Sequence, residues 1–339
     1  MSTEGFVFEN FYNPLWGVST TDGEYVACTG LIPKTGVWSF KESSDNALPF
    51  VMGNQFRSLG YPTYAYHNHS YRYYARDLSH PNMGYVYKGL GNGLSVQKTW
   101  PESDVEMIDV TTPEFLAEEP FHAYFMTVSG HLEYNFMGNA MARKNENLVA
   151  DAPYSDAGRA YIAANIEFDR SMKLLIERLE EAGMADNTVI AISPDHYPYG
   201  LTYEQISELI GHKVEENFEL YKAPFILWEK GMEPIVVDKL CSSMDINPTI
   251  SNLFGLEYDS RLMMGRDIFS DTDPLIIFGN HNWMTERGSY IATEGHFEGD
   301  PEIGQDYIDY INSVVADKFA YSAQILEEDY YRLVVPPKN

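Results

Sequence analysis

The chain has 339 residues, 44% of them hydrophobic, enough to bury a sizeable core in one large α/β domain or two small ones. With 23 basic against 50 acidic residues and a formal charge of −27, its surface would repel a nucleic-acid backbone or an anionic membrane. No run approaches the roughly 20 apolar residues of a membrane span, and the start, Met1-Ser2-Thr3-Glu4-Gly5, lacks the charged and apolar regions of a signal peptide. An anionic substrate would therefore need a local pocket of His, Arg or metal. Cys28 and Cys241, the only cysteines, have neither metal-ligand spacing nor a disulfide framework, and read as buried thiols.

In chain order, the segment 5–33 is rich in Gly, Asn, Pro and Thr and is expected to be mostly loop. It contains Ser19-Thr20-Thr21-Asp22-Gly23-Glu24-Tyr25, which admits two readings. Thr before acidic residues is a helix N-cap pattern. A Thr hydroxyl is also a nucleophile once a base or cation stabilises its alkoxide. Both readings can hold, because a helix start offers N–H groups to a phosphate.

A helix is predicted over 48–59, stopped by Gly60, and a short strand over 63–67. The strand leads into His67-Asn68-His69-Ser70-Tyr71-Arg72-Tyr73-Tyr74-Ala75-Arg76-Asp77. There an Arg can donate two parallel bonds to phosphate oxygens and a His a third; an aromatic loop with incidental charges is the plainer reading. A buried strand over 122–129 ends at Gly130-His131, and a His in that position can carry a proton to or from a reacting oxygen.

Ile162, Ile166, Leu174, Leu175 and Leu179 recur near helical spacing and predict a long helix over 155–182, stopped by Gly183. The strand TVIAIS follows and ends at Pro194-Asp195-His196, a carboxylate and an imidazole that can share one divalent cation. A short helix, a strand over 223–228 and a helix beginning near Asn247-Pro248 come next. A last amphipathic helix carries Tyr307, Ile308, Ile311, Val315 and Phe319. Alternating strands and helices imply a mainly parallel sheet covered by helices. His67, His131 and Asp195-His196 lie just past strand ends, where open α/β sheets place their sites.

Five pieces taken in order resemble the lipoteichoic acid synthase family over nearly the whole chain: NFYNPLWGVSTTDGEY, AYHNHSYRYYARD, FHAYFMTVSGH, NTVIAISPDHY and MDINPTISNLFGLEYDSRLMMGRDIFS. The resemblance implies a three-layer α/β/α sandwich of the alkaline phosphatase and sulfatase type, here a catalytic domain over 1–299 with a helical extension over 300–339. It implies transfer of glycerol phosphate from phosphatidylglycerol to a glycerol-phosphate polymer or a glycan, through a covalent phosphoglyceryl-threonine. The cofactor implied is one divalent cation, manganese foremost, with magnesium or zinc as alternatives. The location implied is the extracellular face of a bacterial membrane, with membrane contact through upstream helices.

Residue by residue, the family's nucleophile falls on Thr20, with Thr21 its neighbour, and its metal-binding pair on Asp195 and His196. The substrate-binding residues fall on His67, Tyr74, Arg76 and His131; the family's best-known pattern has Trp where this chain has Tyr74. One departure concerns the start. Family members carry an upstream strand, reading roughly N-V-I-x-I-x-x-E-S, that ends in a metal-ligating Glu. This chain begins after that piece, so the catalytic domain is expected to be N-terminally incomplete, and neither Glu4 nor Glu9 aligns as a replacement. Losing a carboxylate ligand should weaken the metal site.

Rival readings differ in class. A sulfatase would need a C/S-x-P-x-R pattern, whereas Cys28 is followed by Thr29-Gly30-Leu31. A two-metal phosphodiesterase would need further ligands, for which Asp245 and His281 are the candidates. A domain that binds polyglycerol phosphate or glycan without turnover is the non-enzymatic alternative.

Overall fold

Aromatic and β-branched residues supply the strands, and the computed structural model, which describes residues 3–335, divides their sheets between two compact units. The first unit is drawn from Met1–Gln55, Val189–Tyr197 and Glu216–Asn339; the second comprises Phe56–Thr188 and Pro198–Glu215. Among the described residues no helix is long and apolar enough to cross a membrane.

The second unit contains a wholly parallel sheet in the order Gly93–Leu94, Val86–Leu90, Thr63–Ser70, His122–Met126. Parallel neighbours need crossovers; the helices Arg76–Asn82 and Asp104–Phe115 lie in the connections that supply them. His67 pairs with Gly89 on one side and Met126 on the other, so it sits at the carboxyl end of the sheet. The strand then loses register before Ser70, and the chain turns tightly over Gly89. A Cβ at Gly89 would lie 2.7 Å from the Cα of Tyr71, so only glycine permits that approach. The predicted long helix is Asp156–Glu181, capped by the Ser155 hydroxyl, which accepts from Gly158 N at 3.3 Å. Ala160, Ala163 and Ala164 form its buried stripe with Ala142 and Val149; their small side chains let the helix Ala140–Asn145 pack closely.

The first unit has a mixed sheet in the order Val189–Ile192, Phe225–Glu229, Phe6–Phe8, Ile235–Val237. The first two pairings are antiparallel and the last is parallel. Phe8, Phe11, Phe225, Leu227, Cys241, Ile246 and Ile268 form its core, with the Phe8 and Phe225 rings stacked at 4.6 Å.

Two segments depart from expectation. The stretch 5–33 is not mostly loop: it holds the strands Phe6–Phe8 and Phe11–Tyr12 and the helix Ser19–Thr29. Burial of Tyr25 and Val26 offsets the cost of a helical glycine, and Gly30 ends the helix at φ +68°. A four-stranded antiparallel sheet, Ile276–Ile277, Trp283–Thr285, Gly288–Ile291 and His296–Gly299, has no counterpart in the sequence reading. The last helix, Gln305–Glu327, buries Ile311, Val315, Ile325 and Leu326, and its Asn312 accepts the Trp283 indole N–H at 2.8 Å.

Candidate active site

The candidate residues fall into two groups, one in each unit. In the first unit Thr20 is the second residue of the helix Ser19–Thr29. The N-cap is Val18 and carries no side-chain cap bond, so Thr20 is not the cap. Asp22 braces this helix start instead: its Oδ2 accepts from Val18 N at 2.7 Å, and burial pushes its carboxyl up to about 6. Ser19, just before Thr20, holds φ +34°, a left-handed backbone that non-glycine residues adopt only at a cost.

Asp195 and His196 follow the strand Val189–Ile192, and the side-chain amide of Asn13 donates to Pro194 O in the turn between them. His196 Nδ1 lies 2.8 Å from the carbonyl oxygen of Tyr197. A carbonyl can only accept, so Nδ1 carries the hydrogen and Nε2 the lone pair. That lone pair faces Thr20 Oγ1 at 3.2 Å and Asp195 Oδ2 at 3.3 Å. Burial raises the Asp195 carboxyl, against the lowering effect of His196 and of a hydrogen bond with Thr20. Two acceptor atoms held this close call for a positive charge between them, as a proton or a metal ion.

Hydroxyl, carboxylate and imidazole together suit one hard or borderline divalent ion. Among the described residues no group of three or more His, Cys, Asp or Glu is placed to hold a metal, so Thr20 Oγ1 would be the third donor. Glu4 is engaged elsewhere, accepting from Trp228 Nε1 at 2.9 Å, and Glu9 is exposed. The rival ligands are also committed. Asp245 accepts from Ser242 N and Arg266 N, and the His281 ring stacks on Phe319 at 4.2 Å.

In the second unit His67, Tyr74 and Arg76 come together. His67 Nδ1 is 2.8 Å from Met126 O, which directs Nε2 towards Arg76 Nη1 at 3.3 Å. Arg76 is buried and its guanidinium lies 5.5 Å from the centre of the Tyr74 ring. Tyr74 and Ala75 turn the chain with φ +56° and +54°. His131 Nδ1 bonds Leu132 O at 2.6 Å, and its ring packs against Trp100.

Sequence reasoning assigned no role to Trp100, Glu102, Asp104, Asn68 and His69, which join these pieces. Trp100 touches both His131 and His69. Asp104, fully buried, accepts from Asn68 Nδ2, Val128 N and Ser129 N, and so ties the His67 strand to the turn before His131. The one local signal was the run Ser103-Asp104-Val105-Glu106: Ser103 is the N-cap of the helix Asp104–Phe115 and accepts from Glu106 N.

A family model described as Sulfatase matches residues 1–256. A lipoteichoic acid synthase-like protein, YvgJ of Bacillus subtilis, is 21% identical over 89% of this chain and 50% of its own length. A lipoteichoic acid synthase of Staphylococcus saprophyticus is 24% identical over 85% of this chain and 45% of its own. The chain thus spans about half the length of the curated relatives it matches. Its fold is that of the crystal structure of the lipoteichoic acid synthase LtaP from Listeria monocytogenes (TM-score 0.76, 20% identity, covering 99% of this chain and 85% of that one). A Vibrio parahaemolyticus protein of the alkaline phosphatase superfamily shares it too (TM-score 0.70, 14% identity, 97% and 80%).

Proposed function

This chain belongs to the sulfatase family, and from that premise we propose that it transfers glycerol phosphate from phosphatidylglycerol to a glycerol-phosphate polymer or glycan acceptor, through a phosphoglyceryl-Thr20 intermediate. The observation that carries the reading is Thr20 Oγ1 lying 3.2 Å from His196 Nε2, with Asp195 alongside. A hydroxyl so placed completes, with Asp195 and His196, a donor set suited to a divalent cation, for which manganese is the first choice. The relatives' names, lipoteichoic acid synthase, support the substrate class. The work is assigned to the extracellular face of a bacterial membrane.

A bound cation would supply Lewis acidity, lowering the hydroxyl's pKa and offsetting phosphate charge. The chain's own residues do the rest. Thr20 Oγ1 gives up its proton to water and bonds to phosphorus. The bond from phosphorus to the diacylglycerol oxygen breaks, and His131 passes a proton from solvent to that oxygen. Arg76, oriented by the His67 Nε2 that accepts from its Nη1, holds the non-bridging oxygens, where charge builds in the transition state. Tyr74 contacts the glycerol end. An acceptor hydroxyl then displaces Thr20.

The test is a calorimetric manganese titration of the chain and of Asp195→Ala, followed by mass spectrometry of Thr20 after incubation with phosphatidylglycerol vesicles. Binding that the variant loses, and a glycerol-phosphate adduct on Thr20, are expected. Hydrolysis of a soluble phosphodiester with no glycerol transfer would point to a phosphodiesterase. Affinity for glycerol phosphate that survives Thr20→Ala, with no adduct on the parent chain, would point to a binding domain without turnover.

A further inference from the structure

The side chain of Asn13 reaches the turn that carries Asp195 and His196. Asn13 follows the strand Phe11–Tyr12, and its backbone N–H is held by Tyr221 O at 2.8 Å. The residue is only 1% exposed. Its amide donates from Nδ2 to Pro194 O, the carbonyl just before Asp195, which also accepts from Ser193 Oγ at 3.0 Å. A carbonyl can only accept, so this contact fixes which arm of the amide is nitrogen and turns Oδ1 away from Pro194 O. Asn13 and every residue it meets here belong to the first unit, as do Thr20, Asp195 and His196.

Asn13 Oδ1 is buried and accepts no hydrogen bond among the described residues. A buried amide oxygen left without a partner costs about 1–3 kcal/mol, so one that persists calls for a water, an ion or a function to meet it. Among the described residues of the segment 13–22, Asp22 Oδ1 is in the same condition, but Asp22 is tied to Val18 N of its own helix start. Asn13 is tied instead to the residue next to Asp195. The donors already assigned there are His196 Nε2, with Thr20 Oγ1 at 3.2 Å and Asp195 Oδ2 at 3.3 Å from it. Three donors are few for an ion of the manganese or magnesium kind, which takes about six ligands, mostly oxygens. A side-chain carbonyl oxygen suits those ions, and being neutral it adds a ligand without adding charge beside the Asp195 carboxylate.

We infer that Asn13 Oδ1 is a further oxygen donor to the cation held by Thr20, Asp195 and His196; this rests on the divalent-cation part of the reading above. Nδ2 of the same amide sets the turn that presents two of the other ligands. One planar group thus both completes the donor set and fixes its geometry.

The test is a calorimetric manganese titration of the full chain and of Asn13→Ala and Asn13→Asp. Asn13→Ala should bind manganese about 10–100-fold more weakly, the scale of a lost partner at a metal site. Asn13→Asp should bind at least as tightly as the parent chain, because a carboxylate keeps an oxygen where Oδ1 lies and adds a charge. A merely structural Asn13 predicts the reverse order, since the carboxylate would face Pro194 O, disturb the turn and bind no better than Asn13→Ala. That order, or unchanged affinity in Asn13→Ala, would overturn the inference and leave the cation reading intact. A measurement on the parent chain serves if Asn13→Ala fails to fold. On saturation with magnesium, the side-chain carbonyl ¹³C resonance of Asn13 should shift along with the carboxyl resonance of Asp195. An Asn13 resonance that stays in place while the Asp195 one moves would overturn the inference too. Absence of manganese binding in the parent chain would sink the cation reading, and this inference with it.

Discussion

Arg76 shows what side-chain shape contributes at a single position. It is buried, its guanidinium lies over the Tyr74 ring, and one of its nitrogens faces His67 Nε2 at 3.3 Å. A lysine keeps the charge but loses both the planar fork and the stacking. Arg76→Lys should therefore lower kcat/KM on a glycerol phosphodiester on the order of 100-fold, the scale of a lost transition-state donor, while the chain stays folded by circular dichroism. A second residue-scale prediction concerns stability. His122 stacks on Phe56 at 4.8 Å and shares a 3.0 Å hydrogen bond with Tyr85 OH, and burial pushes its imidazole down to about 4 from an ordinary 6.5. Between those values the unfolded chain binds the extra proton, so stability falls as pH drops from about 6.5 to about 4 and levels off below. The loss is at most on the order of 3 kcal/mol. Urea unfolding across this range should show the slope in the parent chain and a flatter profile in His122→Phe; equal slopes would refute the assignment.

At the scale of elements, the helix Ser19–Thr29 lies against the turn that carries Asp195, and Gly23 is the contact point. A Cβ there would fall 2.2 Å from Asp195 O. In an open helix, Gly→Ala gains roughly 1 kcal/mol. Here the overlap is with backbone, which cannot swing away, and overpacking of this kind costs about 1–3 kcal/mol. Gly23→Ala should thus lower the melting temperature and weaken manganese binding together. A rise in melting temperature would mean that the helix and turn separate freely. The same helix marks where sequence legibility ended. Asp156–Glu181 was readable because apolar residues repeat over 26 positions between a Ser cap and a Gly stop. Ser19–Thr29 has no apolar stripe: its buried face includes Thr20, Thr21, Asp22 and Glu24, polar residues held inside by site geometry. The antiparallel sheet of the first unit escaped for a different reason, since strands of two to four residues are too short for alternation to register. In the candidate site, His67, Arg76, Asp195 and His196 were legible from strand ends and motif order. Glu102 and Asp104 were not, because a buried carboxylate looks like any surface acid until its partner is known.

At the scale of the whole molecule, a formal charge of −27 is set against the anionic lipid proposed as substrate. The donor assigned to phosphate, Arg76, is buried, so an approaching lipid head group would meet the acidic surface first. Repulsion of this kind acts over the Debye length, about 30 Å at 0.01 M salt and about 8 Å at 0.15 M. Raising ionic strength between those limits should therefore speed encounter with phosphatidylglycerol vesicles and raise kcat/KM several-fold. The binding energy of short-range contacts at the buried site should change little, because buried pairs are screened far less than exposed ones. A neutral acceptor such as glycerol provides the control. Its half-reaction, followed as discharge of the Thr20 adduct, should be nearly indifferent to salt. If adduct formation instead slows as salt rises, the lipid is being attracted by a local positive field that outweighs the net charge. In that case basic side chains near the substrate path, rather than the acidic total, govern how the chain meets the proposed lipid donor.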